Sequence, residues 1–288
     1  MEKFAVIDIG SNSVRLMFVA NGKVLYKRLQ TTRLGEGLAA SAFLNTDAIE
    51  RTARAVANFC FAAKTEGAEI VAAFATAAAR SAENGAQFTA RVKELCGLEV
   101  EIVSGGTEAE LGILGALGTA DGTIADMGGA STEIACKKDG KIVYRKSVDI
   151  GVVRIKDKYG VDRSAIIKAA QEAALVYGQV PFCKRVCGIG GTATTLAAIA
   201  ANLKEYDAQK VTGVVITAQK MDELASELLA KTPAQIAQIP CVSKGREEVL
   251  AGGAAMFAAL MPLLGIEEMS VSDRDNLEGY AIQKGWLQ

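Results

Sequence analysis

The chain has 288 residues, half of them hydrophobic, and its 32 basic and 33 acidic side chains give a formal net charge of −1. The composition excludes an intrinsically disordered chain, and the even charge balance excludes the global positive field that is typical of nucleic-acid-binding proteins. The absence of histidine excludes a Ser-His-Asp triad, a Cys-His pair and a histidine-ligated zinc site, so carboxylates are the first candidates for a general base.

The first half of the chain alternates between strands and helices. Strands are predicted over 4–9, 13–20, 23–29, 68–73 and 98–102. Helices are predicted over 47–66, over 86–95 and from Ser104 to Leu117, and residues 76–80 form a turn. Thr46 is the expected cap of the first helix and Gly67 its stop. Alternation of this kind indicates an α/β sheet covered by helices.

The second half begins a new set of strands at Thr123 and then becomes mostly helical. Helices are predicted over 150–158, 163–178, 192–203, 218–230, 245–261 and 275–284. One strand, over 185–189, leads into the Gly190-Gly191-Thr192 turn. The segment from Val249 to Ile266 is uncharged and reaches the lower length limit of a membrane span, but its glycines and Pro262 indicate a buried helix instead.

We predict a cytoplasmic protein without membrane contact. The N-terminus lacks a signal segment, in which basic residues precede an apolar run. The six cysteines are scattered, most of them inside apolar runs. Cys183 and Cys187 have no partner pair at metal-ligand spacing. The cysteines are accordingly predicted to be buried and unreactive in a reducing compartment.

A segment of the chain is repeated after 118 positions. Residues 8–16 align without a gap on residues 126–134, and the alignment continues from 21–27 to 139–145 through an Asn-Gly or Asp-Gly hairpin turn. Each copy predicts a strand, a loop of small residues and two further strands. Because such loops expose backbone N–H groups that can bind a phosphate, the pair indicates a phosphate held between two related domains.

The first loop is Asp8-x-Gly10-Ser11-Asn12-Ser13. Its glycine permits a tight turn, and its short hydroxyl and amide side chains add hydrogen-bond donors without blocking a phosphate. Arg15, two residues into the next strand, adds a fixed positive charge. An ordinary Gly/Ser turn is the alternative interpretation, but the ungapped second copy favours phosphate binding.

The second loop, Gly128-Gly129-Ala130-Ser131-Thr132, has an acidic residue on each side. Asp126 and Glu133 can reach the same loop mouth, which suits an Mg²⁺ ion that keeps several waters and bridges to phosphate oxygens. Each carboxylate alone is also compatible with a solvated surface position. As a pair beside a Gly-Gly loop, they favour a metal site.

Two other positions can contribute to phosphate chemistry. Arg80 follows a buried strand on the loop side, where an arginine either binds phosphate or faces solvent. Glu108 and Glu110 lie in the first turn of the helix that opens at Ser104, where acidic residues complement the helix dipole. Either glutamate can be a general base that activates water, and their spacing does not choose between them.

A set of motifs along almost the whole chain resembles the exopolyphosphatase/guanosine pentaphosphate phosphatase family of the actin-like ATPase superfold. Each motif is weak alone, whereas their order makes the set specific. The motifs are DIGSNSVRL (8–16), TAAARSAENG (76–85), EIVSGGTEAEL (101–111), DMGGASTEI (126–134), IGVVRI (150–155), GIGGTATTLAAI (188–199) and VSDRDNLEGY (271–280).

The resemblance implies an α/β fold of two actin-like, ribonuclease H-like domains with the active site in the cleft between them. Domain I would comprise residues 1–122 and domain II residues 123–273, with residues 274–288 returning to domain I. The implied activity is Mg²⁺-dependent hydrolysis of a phosphoanhydride, with inorganic polyphosphate or guanosine pentaphosphate as the substrate. The implied assembly is a homodimer, and no nucleic-acid partner is expected.

The resemblance also implies roles for individual residues. Glu108 matches the water-activating base, and Asp126 and Glu133 match the acids that bind metal and phosphate. The residues predicted to bind phosphate are Asp8, Gly10, Ser11, Asn12, Ser13, Arg15, Arg80, Gly128, Gly129, Ala130, Ser131 and Thr132. The chain departs from the family pattern at Thr107, where a glutamate is usual, at Ala130, where a glycine is usual, and at Thr212, where many members have histidine.

Hydrolysis of polyphosphate is the leading hypothesis, and guanosine pentaphosphate is its nearest alternative. A kinase or ATPase would keep the fold and use the turn at Gly190-Gly191-Thr192 for adenosine. A non-catalytic actin-like sensor would bind polyphosphate or nucleotide without turnover. An activator ATPase that carries a metal cluster would need bridging cysteines beside the loops, which the sequence lacks.

Overall fold

The computed structural model describes residues 2–181 and 186–287. Its strands form two sheets, one from each half of the chain. The elements of the first half are β1 (Lys3–Ile9), β2 (Ser13–Ala20), β3 (Lys23–Thr31), α1 (Thr46–Thr65), β4 (Ile70–Ala75), α2 (Ala77–Ser81), α3 (Gly85–Cys96), β5 (Val100–Ile102) and α4 (Gly105–Leu117). The elements of the second half are β6 (Gly122–Met127), β7 (Thr132–Lys138), β8 (Lys141–Val148), α5 (Val152–Tyr159), α6 (Arg163–Tyr177), β9 (Val186–Ile189), α7 (Gly190–Ala200), α8 (Ala208–Val211), β10 (Val215–Thr217), α9 (Ala218–Leu229), α10 (Pro233–Ile236), α11 (Leu250–Leu263), β11 (Glu268–Val271) and α12 (Asn276–Gln283).

The two sheets share one strand order. The first sheet is β3-β2-β1-β4-β5, with an antiparallel meander at one side and parallel strands at the other. In the second sheet, β8-β7-β6-β9-β11 repeats this order, and β10 is added antiparallel to β11. This is the ribonuclease H-like order, so the predicted α/β class and its two related halves are confirmed.

The sequence repeat corresponds to a repeated backbone geometry. Each loop is closed by the same hydrogen bond at 3.0 Å, from Gly10 N to Ser13 O and from Gly128 N to Ser131 O. Both hairpin turns have positive φ at consecutive residues, 51° and 71° at Asn21-Gly22 and 51° and 72° at Asp139-Gly140, as a type I′ turn requires. The register also shifts at corresponding positions, after Phe18 and after Cys136.

Several predicted boundaries are wrong in the structure. Asn45, not Thr46, caps α1, because its side chain accepts hydrogen bonds from the N–H groups of Asp47 and Ala48. The strand predicted over 68–73 lies two residues later, and the turn over 76–80 contains the short helix α2. The helix predicted from 245 begins at Leu250, because Gly245 has a φ of +90° and the chain turns there.

Some short elements were not predicted at all, namely α8, α10, β10 and β11. Each has only three or four residues, too few to show a hydrophobic period. The strand predicted over 185–189 is β9, although Arg185 lies outside the described residues. Cys183 also lies outside them; of the described cysteines, all except the half-buried Cys96 are buried.

Helices α4 and α12 lie between the two sheets. Leu111 of α4 joins a cluster with Val6 and Phe74 of the first sheet and with Tyr280 of α12. On its other side, α4 packs against β6, β7 and β8. The last helix, α12, packs against α4 and against β1 of the first sheet. The domain boundaries at 122/123 and 273/274 stay predictions.

Helix α11 lies in the core of the second half. It packs against α5, α6 and α9, and its residues from Leu250 to Phe257 are all buried. Pro262 lies in its last turn, and the helix ends one residue later. Among the helices that the structure describes, none is both long and apolar enough to cross a membrane.

Candidate active site

The loops that follow β1 and β6 face each other across a cleft with a cavity of about 80 Å³. They touch directly, because a methyl group at Gly129 would lie 2.7 Å from Ser11 Cβ and 3.0 Å from Asn12 N. Only glycine therefore fits at position 129 without moving the loops apart. The two loops that the repeat predicted are brought together in one site.

The first loop is held from behind by the segment that follows β3. The carbonyl of Asn12 accepts hydrogen bonds from the N–H groups of Thr32 and Arg33, at 3.0 and 2.9 Å. Within the described part of the chain, Asp8 Oδ1, Ser11 Oγ and Asn12 Oδ1 are buried and have no hydrogen-bond partner. A buried polar atom left unpaired costs about 1–3 kcal/mol, so these atoms favour a bound polar ligand.

Arg15 is fixed between two carboxylates. Its Nε donates to Asp8 Oδ2 at 3.1 Å, and its Nη1 is ion-paired with Asp275 at the start of α12. Burial opposes the ionisation of Asp275, but Arg15 and Lys27 outweigh it and hold the pKa of Asp275 below its usual value. Arg15 is thus a rigid cation in the wall of the cleft.

Glu108 and Glu110 occupy different environments, although both lie near the start of α4. Glu108 is 6% exposed and lines the cleft, and its Oε2 accepts a hydrogen bond from Arg80 Nη1 at 2.9 Å. Burial raises the pKa of Glu108, and the neighbouring Arg80 limits the rise. Glu110 is half-buried and paired with Arg145 instead, so Glu108 is the one of the two glutamates that lies in the cleft.

Asp126 and Glu133 are cross-strand neighbours on β6 and β7. Asp126 lines the cleft, and burial, with the charges of Asp275 and Glu108, raises its pKa to about 7. The carboxylate of Glu133 lies behind the loop, where its Oε1 accepts hydrogen bonds from Ser131 Oγ and Ser147 Oγ at 2.6 Å each. Burial, with the charges of Glu108 and Asp126, raises the pKa of Glu133 far above its usual value.

The neighbouring acidic residues Asp126 and Glu133 fit a divalent cation. Like charges on directly opposed strand positions are destabilising, and a cation at Asp126 would relieve the repulsion. Asp8 Oδ1 is a further buried oxygen without a partner in the described chain. No three acidic or cysteine side chains form a metal cage within residues 2–181 and 186–287, but Mg²⁺ usually takes only one or two carboxylates and keeps its waters.

Most of the predicted site residues line the cleft. The residues of the predicted set that do so are Asp8, Gly10, Ser11, Asn12, Ser13, Arg15, Glu108, Asp126, Gly128, Gly129, Ala130 and Ser131. Arg80 lies beside Glu108, and Thr132 donates its hydroxyl to the carbonyl of Ile150 behind the second loop. The chemical roles of all these residues stay predictions.

Sequence reasoning missed cleft residues that come from distant parts of the chain. Arg246 lines the cleft, and burial, together with the charge of Arg15, lowers its pKa to about 10. Its guanidinium lies against Gly191, where an added Cβ would be 1.7 Å from Arg246 Nη2. Asn276 also lines the cleft and donates from Nδ2 to Asp126 Oδ2 at 3.3 Å.

Two of these missed residues lay in segments that carried some signal. Asn276 belongs to the motif over 271–280, which predicts no role for any single residue. Gly191 belongs to the turn that would bind adenosine in a kinase or ATPase. Arg246 lies among other charged residues, and nothing in the sequence distinguishes it from an arginine on the surface.

The chain has an α/β fold of two ribonuclease H-like halves, with a polar cleft between the loops that follow β1 and β6. The model of the Ppx/GppA phosphatase family matches residues 17–284. The chain therefore belongs to the Ppx/GppA phosphatase family. A divalent metal is the cofactor that this family generally implies, and the acidic cleft described above fits one.

Named relatives agree with this assignment. A protein of Mycobacterium tuberculosis named exopolyphosphatase 2 is 30% identical over 98% of this chain and 98% of its own length. A guanosine-5'-triphosphate,3'-diphosphate pyrophosphatase of Pseudoalteromonas translucida is 29% identical over 99% of this chain and 58% of its own length. The crystal structure of the Aquifex aeolicus Ppx/GppA family member superimposes with a TM-score of 0.78 at 28% identity, over 99% of this chain and 97% of that one. The predicted family, fold and enzyme class are confirmed.

Proposed function

We propose that the protein is an exopolyphosphatase, which releases the terminal phosphate of inorganic polyphosphate by Mg²⁺-dependent hydrolysis. The observation that carries the proposal is the position of Glu108, a buried carboxylate in the wall of the same cleft as the two phosphate loops. A base next to a bound terminal phosphate can activate the attacking water. The similarity to exopolyphosphatase 2 supports the choice of substrate.

In this proposal the terminal phosphoryl group lies between the two loops. Backbone N–H groups of both loops donate to its oxygens, and Arg15 and Arg246 supply positive charge. Glu108 accepts a proton from water as the water oxygen bonds to phosphorus, and the anhydride bond to the rest of the chain breaks. Arg80 holds the Glu108 carboxylate through the 2.9 Å hydrogen bond.

Asp126 is the residue that we propose to hold Mg²⁺, with Glu133 as its neighbour. When bound, the ion would neutralise negative charge on the phosphate oxygens. Asn276 keeps the Asp126 carboxylate in place from the side of α12. Burial and the neighbouring carboxylates raise the pKa of metal-free Asp126 to about 7, so a bound ion would compete with a proton for this carboxylate.

Hydrolysis of guanosine pentaphosphate is the second candidate. A further cavity of about 210 Å³ adjoins the cleft at Arg15, Gly191 and Arg246, and its walls include the apolar side chain of Leu277 and the ring of Tyr206. Such a cavity can accept a nucleoside whose phosphates enter the cleft. The similarity to a guanosine-5'-triphosphate,3'-diphosphate pyrophosphatase supports this alternative.

The test is release of inorganic phosphate from polyphosphates of several lengths, from guanosine pentaphosphate and from ATP, with Mg²⁺ and with EDTA. We expect Mg²⁺-dependent release from polyphosphate at the highest rate. Faster release from guanosine pentaphosphate would make the second candidate the main activity. Faster ATP turnover, or binding without turnover, would instead favour the ATPase or the non-catalytic sensor.

We further propose a homodimer, as the family resemblance implies, and a location in the cytoplasm, as the distribution of cysteines predicts. Sedimentation equilibrium over a range of protein concentrations tests the assembly, and a single monomeric species would contradict it. Fractionation of the native cells with an antibody against the protein tests the location.

A further inference from the structure

The first turn of α12 contacts a charged residue beside each of the two phosphate loops. Asp275, which caps the helix, is ion-paired with Arg15 beside the first loop. The next residue, Asn276, donates to Asp126 beside the second loop. Both residues line the cleft or its adjoining cavity, so this turn contacts the charged groups of both halves.

Asp275 is held in place from several directions. Its side chain accepts a hydrogen bond from Leu277 N at 3.1 Å, and its own N–H donates to Glu278 Oε2 at 3.1 Å. Its carbonyl lies 1.8 Å from the position that a Cβ on Gly115 would occupy. Asp275 is only 3% exposed. The carboxylate therefore cannot move away from Arg15 without shifting the helix.

The two carboxylates beside Arg15 weaken the attraction between this arginine and a phosphate in the cleft. Arg15 is already paired with Asp8 and Asp275, so an entering phosphate shares the guanidinium with two carboxylates. A single orthophosphate in the cleft meets this repulsion, and Arg246 offsets part of it. A longer phosphate chain has further groups that can reach the adjoining cavity and contact another cation there, such as Arg28.

We propose that Asp275 is a positioning residue that fixes Arg15 and weakens the binding of orthophosphate, so that the product leaves while polyphosphate is retained. The inference rests on the proposed function, because it assumes that Arg15 contacts the terminal phosphate. Its action is electrostatic: one unit of negative charge about 4 Å from a phosphate changes affinity by roughly fivefold at the dielectric constant of water and by about a thousandfold at a dielectric constant of about 20, so a change of at least about tenfold is expected in this partly open cleft.

The experiment measures the binding of inorganic phosphate by titration calorimetry, together with steady-state hydrolysis of polyphosphate. In Asp275→Asn the amide keeps the helix cap but removes the charge. We expect orthophosphate to bind about tenfold more tightly, KM for polyphosphate to fall, and kcat to fall about tenfold because Arg15 loses an anchor and product leaves slowly. Asp275→Ser, a second neutral cap, is expected to act in the same direction.

Glu278→Gln is the matched control. It removes a buried carboxylate from the same helical turn, but Glu278 is paired with Lys27 and does not line the cleft. We expect its affinity for orthophosphate to stay within about twofold of the wild-type value, since Lys27 keeps its ion pair with Asp273 and neither Lys27 nor Glu278 lines the cleft. A structural role alone would lower stability in both variants without tightening phosphate in either.

Unchanged or weaker orthophosphate binding in Asp275→Asn would overturn the proposal, as would equal tightening in Glu278→Gln. Loss of folding in both neutral Asp275 variants would also overturn it, because the contribution of Asp275 would then be structural. Failure of the proposed function has a different signature. In that case the wild-type protein releases no phosphate from polyphosphate, whatever the calorimetric comparison shows.

Discussion

Glu108 and Glu110 are two positions apart in α4, and only one of them faces the cleft. We expect Glu108→Gln to lower phosphate release from polyphosphate by about 10²- to 10⁴-fold, the usual contribution of a general base. Binding should persist, because the amide keeps the shape of the side chain and can still contact Arg80. Initial rates and calorimetric titration with polyphosphate measure the two properties separately.

Glu110→Gln is the control for this prediction. Its side chain is 38% exposed and pairs with Arg145, which is 51% exposed, and ion pairs that are open to solvent contribute little to stability. Rates within about twofold of wild type are expected. Near-normal turnover in Glu108→Gln, or an equal loss in Glu110→Gln, would remove Glu108 from its proposed role.

Asp126 gives the metal-free protein a pH-dependent stability. Its pKa is 3.8 in an unfolded chain and about 7 in the fold, so between these values the folded state binds a proton that the unfolded state has lost. The stabilisation from the neutral carboxyl is complete below pH 4 and is lost as the pH rises through 7. Asp126→Asn lacks this titration.

We therefore expect Asp126→Asn and the wild-type protein to be about equally stable at pH 4 in EDTA. At pH 8 the variant should be more stable by about 2–4 kcal/mol, as a shift of roughly three pKa units allows. Urea denaturation from pH 4 to pH 8 measures the difference. A gap between the two proteins that is the same at every pH would show that Asp126 titrates normally.

Residues differ in how far the sequence alone could place them. The phosphate loops at Gly10 and Gly128 could be predicted because each is a continuous segment of the sequence. The repetition of that segment distinguishes it from an ordinary turn. Arg246 and Asp275 could not, because each reaches the cleft through packing between elements that are far apart in the chain. The ion pair of Glu110 likewise depends on Arg145, a residue of β8.

At the scale of elements, α4 and α12 approach each other through glycines. A Cβ on Gly279 would lie 1.9 Å from the carbonyl oxygen of Leu111, so only hydrogen fits there. We expect Gly279→Ala to destabilise the protein by about 2 kcal/mol, since overpacking against backbone exceeds the gain in helix propensity of about 1 kcal/mol. Urea denaturation measures the loss.

Gly106→Ala is the matched helical control. Its added methyl group would lie 3.3 Å from Arg145 Nε, the end of a flexible side chain that can move. A change within about 0.5 kcal/mol is expected. If Gly279→Ala were equally mild, the close approach of α4 and α12 would not be a constraint on the fold.

Elements were predictable when their own residues carried a clear period or cap. The meander strands and α4, α6 and α9 are found close to their predicted bounds. In contrast, β10 forms by pairing with β11, and β11 also pairs with β9. A segment of three or four residues carries no sequence pattern from which such pairing could be predicted. The cap of α1 was misplaced by one residue because Asn45 and Thr46 are both good capping residues.

For the whole molecule, the contact between the two loops is the feature on which binding depends. A ligand that bridges both halves stabilises the folded state by RT ln(1 + [L]/Kd), about 2.7 kcal/mol at 100 times Kd. With an unfolding entropy of about 0.6 kcal/mol per kelvin for a chain of this length, the melting temperature should rise by about 4 °C. Differential scanning calorimetry with polyphosphate and Mg²⁺ measures this shift.

Gly129→Ala should remove most of that shift. The methyl group would lie 2.7 Å from Ser11 Cβ and push the two loops apart, so that no single phosphate can contact both. Gly128→Ala is the comparison within the same loop, because its methyl group would meet only the carbonyl oxygen of Ser131, at 3.3 Å, and should leave the spacing between the loops unchanged. A full 4 °C shift in Gly129→Ala would mean that polyphosphate is held by one half of the molecule alone, and the duplicated loop would then need another explanation.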